Sequence, residues 1–225
     1  MRMRMRILTS ILLFVGLVAT ASGQSGKGSA AVKIYPDSLN RLPVVHREQM
    51  DENGKRVYDI NAGGAGKVAQ ATGPSAIALY SPGVAEPLRR LNDYLRREGS
   101  VLGKPVTEVA ILVAAREFDQ QYVWSSHEPT ALKVGVGQPA IDAIKYGKDV
   151  SGLGEKESVV IRLGRQLFRE HKLDADLYAK AIELFGKQGT VELVTLMGDY
   201  ALNALLLDAW DQHLPADRKP LLPRR

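Results

Sequence analysis

The chain of 225 residues contains no cysteine. That excludes disulfides, thiolate metal sites, a cysteine nucleophile and any thiol redox couple built from this chain's own residues. Histidine is scarce: His46, His127, His171 and His213 are far apart and form no HxxxH or HExxH pair. A histidine-rich metal site has no support from that spacing, and neither a metal nor a cofactor is expected. No run alternates apolar and polar residues as a half-buried strand would. Apolar residues nevertheless make up 45% of the chain, enough for a real core and too many for a disordered polymer.

The formal charge of +5 is concentrated at one end. Arg2, Arg4 and Arg6 open the chain, an apolar run follows from Ile7 to Val18, and small residues close it at Ala19-Thr20-Ala21 or Ala21-Ser22-Gly23. This is the three-part pattern of a secretory signal peptide, assigned to residues 1–23. The run is shorter than the roughly 20 residues of a bilayer span, which argues against a retained anchor. Removing three arginines and no acid takes the formal charge from +5 to +2. A nearly balanced mature chain gives little footing to nucleic acid. The expectation is an exported protein, periplasmic or secreted, with no stable membrane anchor after cleavage.

Residues 24–41 are small and polar and read as a flexible linker. A short helix is expected before the glycine cluster, with Met50 and Val57 on one face. The cluster Gly63, Gly64 and Gly66 is a plain loop. No strand precedes it, and Gly66-Lys67 is followed by valine where a phosphate loop needs serine or threonine. Helical spacing then recurs. Val84, Leu88, Leu91 and Leu95 form one stripe, ended by Gly99. Residues 106–118 form a second helix, Pro139 starts another closed by Gly147, and Val159 to Phe168 continue the period. Asp174 or Asp176 caps the next helix, which ends at Gly186. After Thr190 comes a segment apolar on most faces, expected at the centre. The tail 211–225 is proline-rich and basic, without period. The reading is all-α, one compact multi-helix bundle over residues 42–210.

Reactive side chains crowd between Val106 and Leu132. Glu108 and Glu117 are about 180° apart on an ideal helix, so they do not share one pocket. Gln120 and His127 are seven residues apart and share a face if that segment is helical. Pro129 cannot donate to the Ser125 carbonyl and disfavours helix at Glu128, so a kink or restart beside His127 is expected. His127 is the candidate acid/base, with Glu108, Glu117 or Glu128 as a carboxylate partner. The alternative is a buried histidine bonded to a backbone carbonyl. Tyr122 and Trp124 are either core packing or pocket walls, and Arg116 is either a solvated helix charge or a substrate clamp.

These residues also resemble a known family. E-x-A-I-L-x-x-A-R-E followed by Q-Y-x-W-x-x-H-E-P-x-A is similar to the carboxymuconolactone decarboxylase family of the alkylhydroperoxidase D-like superfamily. The segments RLPVVHREQMDENGKRVYD, GPSAIALYSPGVAE, LNDYLRREGSVLG and FGKQGTVELVTLMGDYALNALLL extend the resemblance over most of residues 42–207. It implies an all-α fold that assembles as a trimer or hexamer. The superfamily's peroxidase branch places a glutamate where Glu108 stands and a histidine where His127 stands, with its two cysteines at Gln120 and Val123. Thiol peroxidase chemistry is therefore not available here. The resemblance to the decarboxylase branch implies cofactor-free acid/base chemistry on a small carboxylated substrate. His127 would be the acid/base, Glu108 its partner, Glu117 a further catalytic candidate, Arg116 a carboxylate contact, and Tyr122 and Trp124 the walls. A non-catalytic binding protein on the same scaffold is the rival.

Overall fold

A computed structural model describes residues 33–224. The expected leader and the first part of the linker lie outside the described residues. Among the described residues no strand is found. Eight helices follow in order: α1 Glu52–Ala62, α2 Pro74–Ala78, α3 Pro82–Asp93, α4 Lys104–Glu117, α5 Gln121–Lys133, α6 Gln138–Tyr146, α7 Glu155–Glu170 and α8 Ala175–Ala209. A π turn, Tyr94–Glu98, continues α3, and a short 3-10 turn, Arg47–Gln49, precedes α1. The all-α reading holds.

The helices begin and end where local chemistry dictates. Asp51 caps α1 by accepting from the Gly54 amide at 2.7 Å, and Asp174 caps α8 by accepting from Leu177 at 2.7 Å. Prolines open α2, α3, α4 and α6, where a missing amide proton costs no helical bond. Gly147 closes α6 in the left-handed region, at φ 67°. Inside α8, Gly186 takes φ 67° and ψ 176°, a break that divides the long helix where the sequence predicts an end.

The centre of the bundle is α4. Every residue from Val106 to Arg116 is buried, and α5, α6, α7 and α8 all pack on it. The sequence points to α8 for that place, and here the structure differs. α8 lies against α4 and α7 with one side, while Val191, Val194, Leu202 and Leu205 remain on its outer surface. Where α7 crosses, Gly164 lets the backbones approach: a Cβ there would stand 2.4 Å from Val113 Cγ1 and 3.1 Å from Met197 Cε. Gly164→Val is expected to cost about 1–3 kcal/mol through overpacking, read as a lower urea midpoint with an unchanged slope. A second, smaller cluster joins Val57, Tyr58, Ala78, Leu79 and Ala85, with Met50 against it, so Met50 and Val57 do share a side. Val84 does not join the expected stripe; it is exposed and Ala85 turns inward.

Two local expectations are corrected. Helix α5 runs through Pro129 without a restart. The proline faces solvent, and packing against α4 holds the helix along its length. The part of the linker within the described residues is not loose. Tyr35 and Asn40 form a bridge around a turn, Ser38 and Asn40 are buried, and the Gln212 amide donates to Ser38 O at 3.0 Å while accepting from Asn40 Nδ2 at 2.9 Å and Gly73 N at 3.0 Å. One side chain thus ties the start, the end and the α2 entrance together. The aperiodic tail is also seated. Leu222 is buried, Leu221 N donates to Ser125 Oγ at 3.1 Å, and Arg218 donates to Ser126 Oγ at 2.6 Å. Side chains satisfy its backbone where a helix would have done so, so periodicity gives no sign of it.

Candidate acid/base site

Glu108 lies on the first half of α4 and His127 in the middle of α5. The two helices pack side by side, which sets His127 Nδ1 2.7 Å from Glu108 Oε2 with both side chains buried. A carboxylate can only accept, so Nδ1 carries the proton and the Nε2 lone pair points the other way. Nε2 meets the Tyr200 hydroxyl at 3.2 Å, with the two rings edge to face at 5.2 Å between centres. The phenol donates to Nε2, which completes a chain Glu108–His127–Tyr200.

Burial sets the protonation of this chain. It pushes the His127 imidazole below its ordinary value, a shift that the Glu108 hydrogen bond and charge oppose and that Arg96 and Arg218 reinforce. Burial likewise pushes the Tyr200 phenol up. The resting state is therefore a neutral imidazole whose Nε2 accepts from a phenol that keeps its proton. His127 and Tyr200 both line a cavity of about 460 Å³. Its wall also includes Tyr122, whose hydroxyl is 2.9 Å from Thr72 Oγ1, and Asp199, which accepts from Asn92 Nδ2 at 3.1 Å. Burial raises the Asp199 carboxyl, against the pull of Asn92 and of Arg96.

The structure brings together three of the six candidate site residues. Glu108 and His127 pair, and Tyr122 stands on the wall. The other three are elsewhere. Glu117, on the opposite side of α4 from Glu108, takes Arg169 of α7 through both oxygens, at 2.7 and 2.5 Å. Arg116 is buried and donates to the Pro223 carbonyl at 2.8 Å, so it holds the tail. Trp124 is fully buried and donates through its indole to Glu128, which Lys145 approaches to 2.8 Å. The positions matching the peroxidase cysteines are also separated in role. Val123 lines the cavity, while Gln120 caps α5 through Tyr122 N at 2.9 Å and donates to Asp208 at 2.6 Å.

Tyr200, Asp199 and Asn203 were not anticipated. A signal for them is present: Asp199 is the only acidic or basic residue between Leu193 and Leu207, and Asn203 lies one turn on from it. Polar residues repeating at four on an apolar helix mark a face that meets something polar.

No protein-family model matches this chain, and no curated protein matches it. Solved structures do. An uncharacterised peroxidase-related protein from Silicibacter sp. superposes with a TM-score of 0.62 at 12% identity, over 84% of this chain and 97% of that one. The alkylhydroperoxidase AhpD core of an uncharacterised peroxidase-related protein from Ralstonia eutropha gives 0.60 at 14%, covering 80% of this chain and 94% of its own. A debrominase in complex with 2,3,4-tribromopyrrole gives 0.57 at 14%, covering 80% and 95%. At these identities the likeness carries architecture alone: this chain has the AhpD-like fold.

Proposed function

We propose that this chain is an AhpD-fold enzyme of the carboxymuconolactone decarboxylase-like kind, performing cofactor-free acid/base chemistry on a small carboxylated substrate. The observation that carries the reading is the Glu108–His127–Tyr200 chain ending on a cavity wall. In proton removal, Tyr200 Oη takes a proton from the substrate as it passes its own to His127 Nε2, and Glu108 faces the imidazolium formed. In the opposite direction the imidazolium returns the proton through Tyr200 to carbon, the step a decarboxylation or a double-bond shift requires. Such groups contribute where they already sit within hydrogen-bond reach of one another, as these do.

A binding protein that had lost chemistry would have no need of a carboxylate behind the imidazole, so the pair favours the catalytic reading over its rival. Thiol-dependent peroxide reduction is unavailable on composition, whatever the neighbouring structures do. The test is a panel of small carboxylic acids and carboxylated lactones in deuterated water, followed by NMR for carbon-bound exchange and by release of carbon dioxide. Activity with wild type that is lost on His127→Ala and Glu108→Gln supports the reading. Full rates in both variants would refute it.

Association of copies belongs to the same proposal. Val191, Val194, Leu202 and Leu205 sit on the outer side of α8, and their spacing of three, eight and three residues makes one stripe of the kind helices pack through. The resemblance suggests a trimer or hexamer. Leu205→Glu, at a position 59% exposed, is expected to lower the mass seen by analytical ultracentrifugation while leaving helical content unchanged. Export is proposed on the composition of residues 1–23.

A further inference from the structure

Three arginines stand on the cavity wall, Arg89, Arg96 and Arg97. Two of them share one acid: Arg89 Nε is 2.6 Å from Asp93 Oδ2 and Arg97 Nε is 3.4 Å from Asp93 Oδ1. Arg96 has no carboxylate at ion-pair distance among the described residues. Its one hydrogen bond is at the limit of reach, Nη1 to Asn92 Oδ1 at 3.5 Å, and its Nε is buried with no acceptor at all. A guanidinium carries five N–H donors and cannot discharge itself by losing a proton. A buried donor left without a partner is uncommon in a native fold and points to a group that completes the site.

The placement of Arg96 is also unusual. It lies in the π turn Tyr94–Glu98, where one extra residue per turn takes the side chain out of the register of α3. Its guanidinium carbon stands 5.9 Å from the centre of the Tyr200 ring. The cation is thus fixed over the ring whose hydroxyl ends the proton chain. The acid on the wall is Asp199, and it is bonded to the neutral amide of Asn92.

We propose that Arg96 is the anchor of an anion subsite, taking the substrate carboxylate on the edge of its guanidinium and so placing the neighbouring carbon beside Tyr200 and His127. A planar fork matches a carboxylate through two parallel hydrogen bonds, which fixes orientation as well as charge. The cavity volume, about 460 Å³, suits a small molecule. The placement of the carbon rests on the acid/base reading above; carboxylate binding does not.

The test is titration calorimetry with benzoate and succinate, against benzamide and succinamide as uncharged partners of the same shape. Wild type is expected to take each acid at least ten-fold tighter than its amide. Arg96→Gln should erase that preference, Arg96→Lys should keep part of it, and Arg90→Gln, on the exposed side of α3, should match wild type. Acid binding unchanged in Arg96→Gln, or a wild type that takes up neither acid or does not distinguish acid from amide, overturns the proposal. Should Arg96→Gln fail to fold by circular dichroism, Arg96→Lys decides alone, and full wild-type preference there overturns it. His127→Ala is expected to keep the preference while losing proton exchange. Arg96 and the acid/base chain therefore fail separately: unchanged binding in Arg96→Gln sinks the anchor, and unchanged exchange in His127→Ala sinks the chemistry.

Discussion

Glu108→Gln is expected to lower turnover by about 10²–10⁴-fold, the range that a positioned acid/base group supplies, with the fold unchanged. Glutamine keeps an oxygen that accepts from Nδ1, so the ring orientation and the tautomer survive. What disappears is the negative charge facing the imidazolium. His127→Ala is expected to fall as far or further, but it is the harsher change, since it leaves Glu108 in the core without its donor. The pH profile separates a catalytic role from a merely structural one. Burial already holds His127 below its ordinary value, and Glu108 is the main influence opposing that shift. The acid limb of kcat/KM should therefore lie below the ordinary histidine value of about 6.5, and Glu108→Gln should move it lower still. Stability follows the same linkage. With the folded pKa depressed, the contribution is fully present above the unfolded value and is lost as pH falls through the folded one. The melting temperature of wild type should decline on acidification through that window. A Glu108→Gln enzyme with wild-type rate and an unmoved acid limb would remove Glu108 from the mechanism.

The largest effect on stability is expected at Lys145→Met. Lys145 of α6 approaches the Glu128 carboxylate to 2.8 Å, and both side chains are about nine-tenths buried. The ammonium also lies 5.6 Å from the centre of the Trp124 ring, whose indole donates to the same carboxylate. Removing the lysine leaves a buried carboxylate with a neutral donor only, a change that costs about 3–5 kcal/mol. At roughly 2–4 °C per kcal/mol for a domain of this size, the melting temperature should fall by ~6–20 °C. Lys145→Met with Glu128→Gln should recover most of the loss, because a glutamine oxygen still accepts from Trp124 and no charge is left stranded. If Lys145→Met cost less than about 1 kcal/mol, the pair would have to be solvated rather than buried. The contrast with Glu117 is useful: its partner Arg169 is nearly half exposed, so part of that charge remains hydrated when the pair is broken.

The helices were legible because their signals are local. Capping aspartates, prolines at first turns and glycines at ends act within one turn of the residue that carries them, and α1, α4, α6 and α8 start or stop accordingly. The opposition of Glu108 and Glu117 follows from the pitch of one helix and is seen in their separate partners, His127 and Arg169. The seating of residues 35–40 and of the tail was not legible. Those segments are held by Gln212, Ser125 and Ser126 across more than ninety residues of chain, with no period of their own.

By itself the sequence determined the all-α class, the absence of thiol chemistry and the proximity of Glu108 and His127 to one segment, since each depends on composition or on spacing within a helix. The family resemblance favoured Glu108 as the partner of the histidine, but only the tertiary structure showed which carboxylate meets it. Glu108, Glu117 and Glu128 are equal as residue types, and helix packing alone sends them to His127, Arg169 and Lys145. It also supplied Tyr200 from α8 and Arg96 from the π turn after α3, because a cavity wall is drawn from whichever faces the bundle turns inward.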